Sequence, residues 1–145
     1  MKAQRQGFTL LELLVVVIVI GILASLAVPR FLKTIEKARI AEAKTWLGVI
    51  RSSEFRYRLD NSAYTTTLTL LDSDDPNSVT PRYYNYTAAL ADPGLCTAAG
   101  SAPPNGFWIV ATRVSTQGRP LPPPGVPNGY IVELSDLGNL CDTLP

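Results

Sequence analysis

An apolar stretch near the N-terminus constrains this chain more than any other feature. From Phe8 to Val28, 21 residues run with only Thr9, Glu12, Gly21 and Ser25 interrupting the apolar side chains. As a helix this stretch would be about 31 Å long, which is enough to cross the hydrocarbon core of a bilayer. An ionised side chain in such a segment costs up to about 3 kcal/mol on insertion. The position of Glu12 therefore needs a specific explanation.

Taken alone, the residues leave three interpretations of this stretch open. The first is a secretory signal with a basic start at Lys2 and Arg5 and cleavage after Ala27, which would release a soluble binding protein. The second is a permanent membrane anchor, although basic residues on both sides of the span give little indication of its orientation. The third starts from the abrupt junction of Gly7 and Phe8, where a short polar leader meets the apolar run. Neither of the first two explains the carboxylate.

The segment GFTLLELLVVVIVIGILASLAVP resembles the N-terminus of type IV pilins and of the pseudopilins of type II secretion. The resemblance implies that a prepilin peptidase cleaves between Gly7 and Phe8 and that Phe8 is then N-methylated. It also implies that Glu12 pairs with the N-terminal amine of a neighbouring subunit during filament assembly. Such a pair offsets the desolvation of both charges among packed apolar helices. The mature chain would have 138 residues, which is 145 less the seven of the leader.

Gly21 and Pro29 are the positions at which we expect the apolar helix to change. Proline removes a backbone donor and kinks or ends a helix, and glycine loosens it. The family has a glycine and a proline at matching places around a segment that is often unwound in assembled filaments, so the resemblance implies the same here. A plain kink at the membrane surface is the alternative.

A second helical pattern runs from Arg30 to about Asp60. Its predicted apolar face, on which we expect a sheet to pack, consists of Phe31, Ile35, Ala38, Trp46, Val49, Ile50, Ser53 and Tyr57. No linker rich in glycine or proline separates this helix from the apolar stretch. We therefore expect a leader at 1–7, a transmembrane or filament-core helix at 8–29, and a head at 30–145 that includes the second half of the helix.

Three later stretches have the composition of strands, namely Arg82–Leu90, Phe107–Val114 and Gly129–Ser135. A short strand or helical turn is expected at Leu68–Leu71. The predicted fold class is α+β, with one long N-terminal helix packed on a small antiparallel sheet.

Cys96 and Cys141 are the only cysteines, and we expect them to form a disulfide because an exported chain folds in an oxidising compartment. Two unpaired thiols in a reducing compartment are the alternative. Pilins commonly enclose their C-terminal region with such a bridge and many pseudopilins do not, so the resemblance favours a pilus subunit.

Composition argues against catalysis. The chain has no histidine, which removes the usual general base and the commonest metal ligand. We expect no enzymatic activity, no cofactor and no bound metal. Asp72, Asp74 and Asp75 could ligate calcium, but the C-terminal region has no dense acidic loop.

Charge and aromatic patterns suggest contacts between copies more than contacts with nucleic acid. Residues 30–58 are basic by five charges and residues 59–145 acidic by five, so unlike regions can attract when copies pack. Arg51, Arg56 and Arg58 are expected to meet a neighbour's acidic head. The tyrosines at positions 83, 84 and 86 beside Arg82 could stack on bases, but alternating aromatics on a strand are typical of core pairs. The loop Gly118–Gly129, with five prolines, is expected to be a stiff, exposed connector.

The sequence thus predicts a prepilin that enters the inner membrane and is processed by the prepilin peptidase and methylase. The pilus assembly machinery would then incorporate it into an extracellular type IV pilus for adhesion, motility or DNA uptake. A pseudopilin of a type II secretion system is the alternative within the family. A secreted binding module released after Ala27 is the alternative from another class.

Overall fold

A computed structural model describes residues 8–80, 82–91, 106–114 and 131–142. The predicted α+β class is confirmed. Helix α1 spans Leu10–Asn61, and two short 3-10 turns follow at Leu68–Leu70 and Pro76–Ser78. The strands are β1 at Tyr84–Ala89, β2 at Trp108–Arg113, β3 at Ile131–Ser135 and β4 at Leu140–Asp142. They form one antiparallel sheet in the order β1-β2-β3-β4.

The chain divides into two compact units, residues 1–35 and residues 36–145, and the second is called the head unit below. Helix α1 runs without interruption through Gly21 and Pro29. The expectation that the helix could end at Pro29 was therefore wrong, since a single proline loses one backbone hydrogen bond that the rest of a 52-residue helix can absorb. A methyl group at Gly21 would meet no atom within 4 Å. The unwinding expected in an assembled filament stays a prediction.

The face of α1 that is buried in the head unit differs from the predicted one. Ile50 and Ser53 are buried, and Trp46 and Tyr57 pack against the core, as expected. Val49 is 38 % exposed, and Phe31 lies outside the head unit. The observed face consists of Glu36, Ile40, Ala43, Leu47, Ile50, Ser53 and Glu54. Two glutamates belong to it, and a pattern of apolar residues cannot identify a face that includes buried charges.

The sheet packs one side of its strands into the same core as α1. Because side chains alternate along a strand, every second residue shares this core: Tyr84, Tyr86, Ile109, Ala111, Val132 and Leu134. On the opposite side of the sheet, Trp108, Val110 and Glu133 are also buried. Both sides of β2 are therefore covered, which fits its nearly continuous run of apolar residues.

The predicted strands are confirmed to within two residues at each end, and the turn predicted at Leu68–Leu71 is a 3-10 turn. Strand β4 was missed because it has only three residues. Cys141 lies in β4 opposite Glu133 of β3. Cys96 and the loop 118–129 lie outside the described residues, so the disulfide stays a prediction.

Candidate functional site

The first part of α1 has an exposed apolar surface on all sides. Every leucine, isoleucine and valine from Leu10 to Val28 has at least 47 % of its surface exposed. Within the described part of the chain, α1 is the one helix long and apolar enough to cross a membrane, and its most apolar window has a mean hydropathy of 2.9. Soluble monomers rarely expose apolar patches of this extent. Lipid or other apolar helices are the surroundings that such a surface fits.

Glu12 lies in the first turn of α1, where Thr9 caps the helix. The Thr9 side-chain oxygen Oγ1 accepts a hydrogen bond from the Glu12 backbone N–H at 3.2 Å. The Thr9 carbonyl accepts another from the Leu13 N–H at 3.2 Å. A threonine followed three residues later by glutamate is the capping-box pattern, which the sequence analysis missed although the pattern is visible in the sequence. A carboxylate at this position is also favoured by the helix dipole.

The Glu12 carboxylate forms no ion pair with any residue that the structure describes. Phe8, the predicted new N-terminus, is 79 % exposed and lies four residues before it. Gly7, the residue before the predicted cleavage, lies outside the described range. The structure therefore places Glu12 in the first turn of an exposed apolar helix, four residues after Phe8.

A second charged cluster, which the sequence analysis did not identify, lies inside the head unit. Arg113 donates from Nε to Glu36 Oε1 at 2.7 Å, and Arg39 donates from Nη1 to Glu36 Oε2 at 2.8 Å. The side chains of Glu36 and Arg113 are 1 % and 0 % exposed. Arg113 Nη1 also donates to the Val114 carbonyl at 2.8 Å. Each charge thus keeps polar partners in the core, as burial requires.

The aromatic ring of Tyr83 completes this cluster. The Arg39 guanidinium carbon lies 4.0 Å from the centre of the ring, and that of Arg113 lies 5.2 Å from it. Such stacking adds a cation–π attraction to the ion pairs. The signal available in the sequence was a carboxylate, Glu36, one helical turn before Ile40 on the core face. The partner 77 positions away could not be assigned from it.

The three arginines expected to meet a neighbouring subunit bind within their own chain. Arg51 donates to the Asp136 carbonyl at 2.9 Å and Arg58 to the Tyr64 hydroxyl at 2.8 Å. Arg56 forms a bidentate pair with Asp72 at 2.5 and 2.9 Å. The hydrogen bonds from Arg56 hold the pKa of Asp72 below its ordinary value. The three arginines therefore have partners within their own chain, and their contact with a neighbouring subunit stays a prediction.

The remaining polar candidates have structural roles. Tyr84 and Tyr86 are buried in the core, which confirms their interpretation as core residues. Asp75 accepts a hydrogen bond from the Asn77 backbone N–H at 2.8 Å. Among the described residues, no group of three or more acidic or cysteine side chains is placed to hold a metal ion.

The comparisons with known proteins identify an N-terminal motif and relatives that match part of the chain. The prokaryotic N-terminal methylation motif matches residues 2–28. The chain is 43 % identical over 88 residues to the type II secretion system core protein G of Vibrio cholerae, covering 59 % of this chain and 60 % of that protein. It is 43 % identical over 67 residues to the protein of the same name from Dickeya chrysanthemi, covering 46 % and 44 %.

The protein of that name from Escherichia coli is 41 % identical over 70 residues, covering 48 % of each chain. The chain spans about half the length of the curated relatives it matches. No solved structure matches. The resemblance drawn from the residues around Gly7 and Glu12 is confirmed.

Proposed function

We propose that this chain, which carries the N-terminal segment of the type IV pilin and pseudopilin family, is a structural subunit that polymerises through α1. The observation that carries the proposal is the exposed apolar surface from Leu10 to Val28 with Glu12 in its first turn. Lipid covers this surface while the subunit is in the inner membrane. Neighbouring copies of the same helix cover it in a filament.

Within that family we propose a pseudopilin of a type II secretion system that forms a periplasmic fibre. The relatives with 41–45 % identity share the name of a core protein of that system, and they favour this alternative over the type IV pilus subunit. The sequence analysis preferred the pilus because of the cysteine pair, but a bridge between Cys96 and Cys141 would not exclude a pseudopilin.

Processing follows from the N-terminal motif. The prepilin peptidase removes residues 1–7, and methylation of Phe8 leaves a positively charged secondary amine at the new N-terminus. Glu12 lies four residues after that amine in the sequence. In the filament, the Glu12 carboxylate of one copy neutralises the amine of the next, because each charge alone would be costly among apolar helices. Glu12 therefore sets the register between neighbours.

Substitutions at Glu12 test the proposal because capping and charge can be separated. Glu12→Ala removes both the charge and any contribution of the side chain to capping, whereas Glu12→Gln keeps a hydrogen-bonding group and removes the charge. We expect both variants to be cleaved to 138 residues with N-methylated Phe8 and to fail to form filaments. Ser25→Ala, in the same exposed segment, is the matched control and should assemble normally.

Intact mass measures processing, and cross-linking of purified envelopes followed by electrophoresis measures assembly. Wild-type filament formation by Glu12→Gln would contradict the charge-pairing role. A mature chain that begins at Val28 would contradict the filament proposal altogether. Measuring the proteins secreted into the medium after deletion of the gene distinguishes a pseudopilin from a pilus subunit. Deletion of a pseudopilin blocks secretion, whereas deletion of a pilus subunit does not.

A further inference from the structure

Two cations follow the exposed apolar surface of α1. Arg30 and Lys33 come shortly after Val28, within the unit of residues 1–35, and both side chains are exposed. Neither forms an ion pair with any residue that the structure describes. Both charges are therefore available to a negatively charged partner outside the chain.

No acidic side chain of the same stretch of α1 neutralises these cations. The sequence has no aspartate or glutamate from Leu13 to Ile35. The next acid along the chain is Glu36, whose two carboxylate oxygens accept hydrogen bonds from Arg113 and Arg39 in the head unit. The exposed surface of residues 13–35 therefore carries positive charge alone.

The two cations share one side of α1 with apolar side chains of the preceding turns. Residues three or four apart are neighbours on a helix surface, so Arg30 lies beside both Lys33 and Leu26. A shallow depression on this surface is lined by Leu23, Leu26, Ala27, Arg30, Phe31 and Thr34. It is apolar towards Leu23 and has a guanidinium and a hydroxyl group towards Thr34. A phospholipid, with acyl chains at one end and a charged headgroup at the other, has the same order of polarity.

The positions of the cations along the helix also fit a phospholipid. At a rise of about 1.5 Å per residue, Arg30 and Lys33 lie about 3 and 8 Å beyond Val28 along the helix axis. The polar layer on each side of a hydrocarbon core is about 5 to 8 Å thick. When the apolar run crosses the core, both cations are therefore at the level of the lipid phosphates.

We propose that Arg30 and Lys33 bind the phosphate groups of anionic phospholipids while the subunit is in the membrane, with the acyl chains against Leu23 and Leu26. Phosphatidylglycerol has a net negative charge and phosphatidylcholine has none, so two unpaired cations at headgroup level favour phosphatidylglycerol. The inference rests on the membrane stage of the proposed function and adds the class of lipid that the subunit selects there.

Native mass spectrometry of the full chain in detergent measures this selection. The chain is titrated with equal amounts of phosphatidylglycerol and phosphatidylcholine that have the same acyl chains, and the bound lipids are counted. Each cation near an anionic headgroup adds about fivefold in affinity, so we expect wild type to favour phosphatidylglycerol by about tenfold or more. Arg30→Gln with Lys33→Gln should reduce the preference to less than about twofold. Arg30→Lys with Lys33→Arg keeps both charges and should retain the preference.

Thr66→Glu with Thr69→Glu is the matched control, because it also lowers the net charge by two and both positions are exposed in the head unit. This variant should keep the preference for phosphatidylglycerol. Glu12→Gln should keep it as well although it blocks assembly, so failure of the lipid inference is distinguishable from failure of the filament proposal.

Equal binding of the two lipids by wild type, or an unchanged preference in Arg30→Gln with Lys33→Gln, would overturn the proposal. If wild type shows no preference and that variant fails to form filaments, the two cations contact an acidic surface of a neighbouring copy instead. An equal loss in the control variant would show an effect of net charge alone. Binding of glycerol phosphate as tightly as the lipid would show a site for free phosphate esters, without a role for the apolar side chains.

Discussion

Glu36 Oε1 accepts a hydrogen bond from Arg113 Nε at 2.7 Å, and this ion pair joins α1 to β2 within the core of the head unit. Glu36 is also the first residue of that unit. The pair thus connects the part of α1 where the head unit begins to β2, which lies next to the edge strand β1. Both side chains are almost inaccessible to water.

Removing one member of this pair should destabilise the head unit strongly. Glu36→Gln leaves the Arg113 charge buried without a counter-charge, so we expect a loss of about 3 kcal/mol in the free energy of unfolding. Glu36→Met with Arg113→Met should lie much closer to wild type, because both fully buried charges are then absent. Arg39 loses its carboxylate partner in this variant but is 15 % exposed and keeps its contact with the Tyr83 ring. Urea unfolding of the full chain in detergent, followed by circular dichroism, measures both. Lys37→Ala, an exposed neighbour, is the control and should change stability by less than about 0.5 kcal/mol.

Glu54 should make the stability of the head unit depend on pH. Its side chain is fully buried, and its Oε2 accepts the Thr65 backbone N–H at 3.1 Å. Burial raises the pKa of Glu54 above its ordinary value of 4.5, and the Thr65 hydrogen bond opposes this only in part. The folded protein then holds this proton more tightly than the unfolded chain does. Stability from this group is fully present below pH 4.5 and is lost as the pH rises through the folded-state pKa.

Glu54→Gln tests this dependence because glutamine keeps an acceptor for Thr65 and does not titrate. We expect the unfolding free energy of wild type to decrease relative to that of Glu54→Gln as the pH rises from about 4 to 7, because only the wild-type side chain loses a proton. Thermal or urea unfolding at several pH values provides the measurement. A difference that stays constant over this range would show that Glu54 has an unshifted pKa.

Asn77 should protect the free edge of β1. Its side-chain nitrogen Nδ2 donates to the Tyr86 carbonyl at 2.7 Å, and its Oδ1 accepts the Tyr86 N–H at 2.9 Å. The amide thus occupies both backbone groups that Tyr86 would offer to another strand. We expect Asn77→Ala to lower stability by about 1–2 kcal/mol and to speed hydrogen exchange of β1, measured by mass spectrometry. Ser78→Ala, at the adjacent exposed position, should leave exchange in β1 unchanged.

The Cys96–Cys141 bridge predicted from the sequence should stabilise the head unit. In the chain-entropy model a loop of this length contributes about 4 kcal/mol, less any strain in the folded state. Replacing both cysteines by serine should therefore lower the melting temperature, and the wild-type mass should be two hydrogens below that of the reduced chain. An unchanged melting temperature together with two free thiols after alkylation would contradict the bridge.

Local patterns predicted much of the fold. The long helix, three of the four strands and the turn near Leu68 follow from periodicity and composition, which act over neighbouring residues. The short strand β4 did not, because three residues give too little pattern to recognise. The capping box at Thr9 and Glu12 is equally local and could have been identified from the sequence.

The sequence by itself determined the N-terminal segment, since a cleavage motif, an apolar run and a carboxylate at a fixed spacing need no distant partner to be recognised. Only the tertiary structure decided which face of α1 is buried. That face carries Glu36 and Glu54, and a charge can be buried only where its partners are supplied. Those partners, Arg113 and the backbone of Thr65, lie 77 and 11 positions away and come into place only when the sheet and the turn pack on the helix.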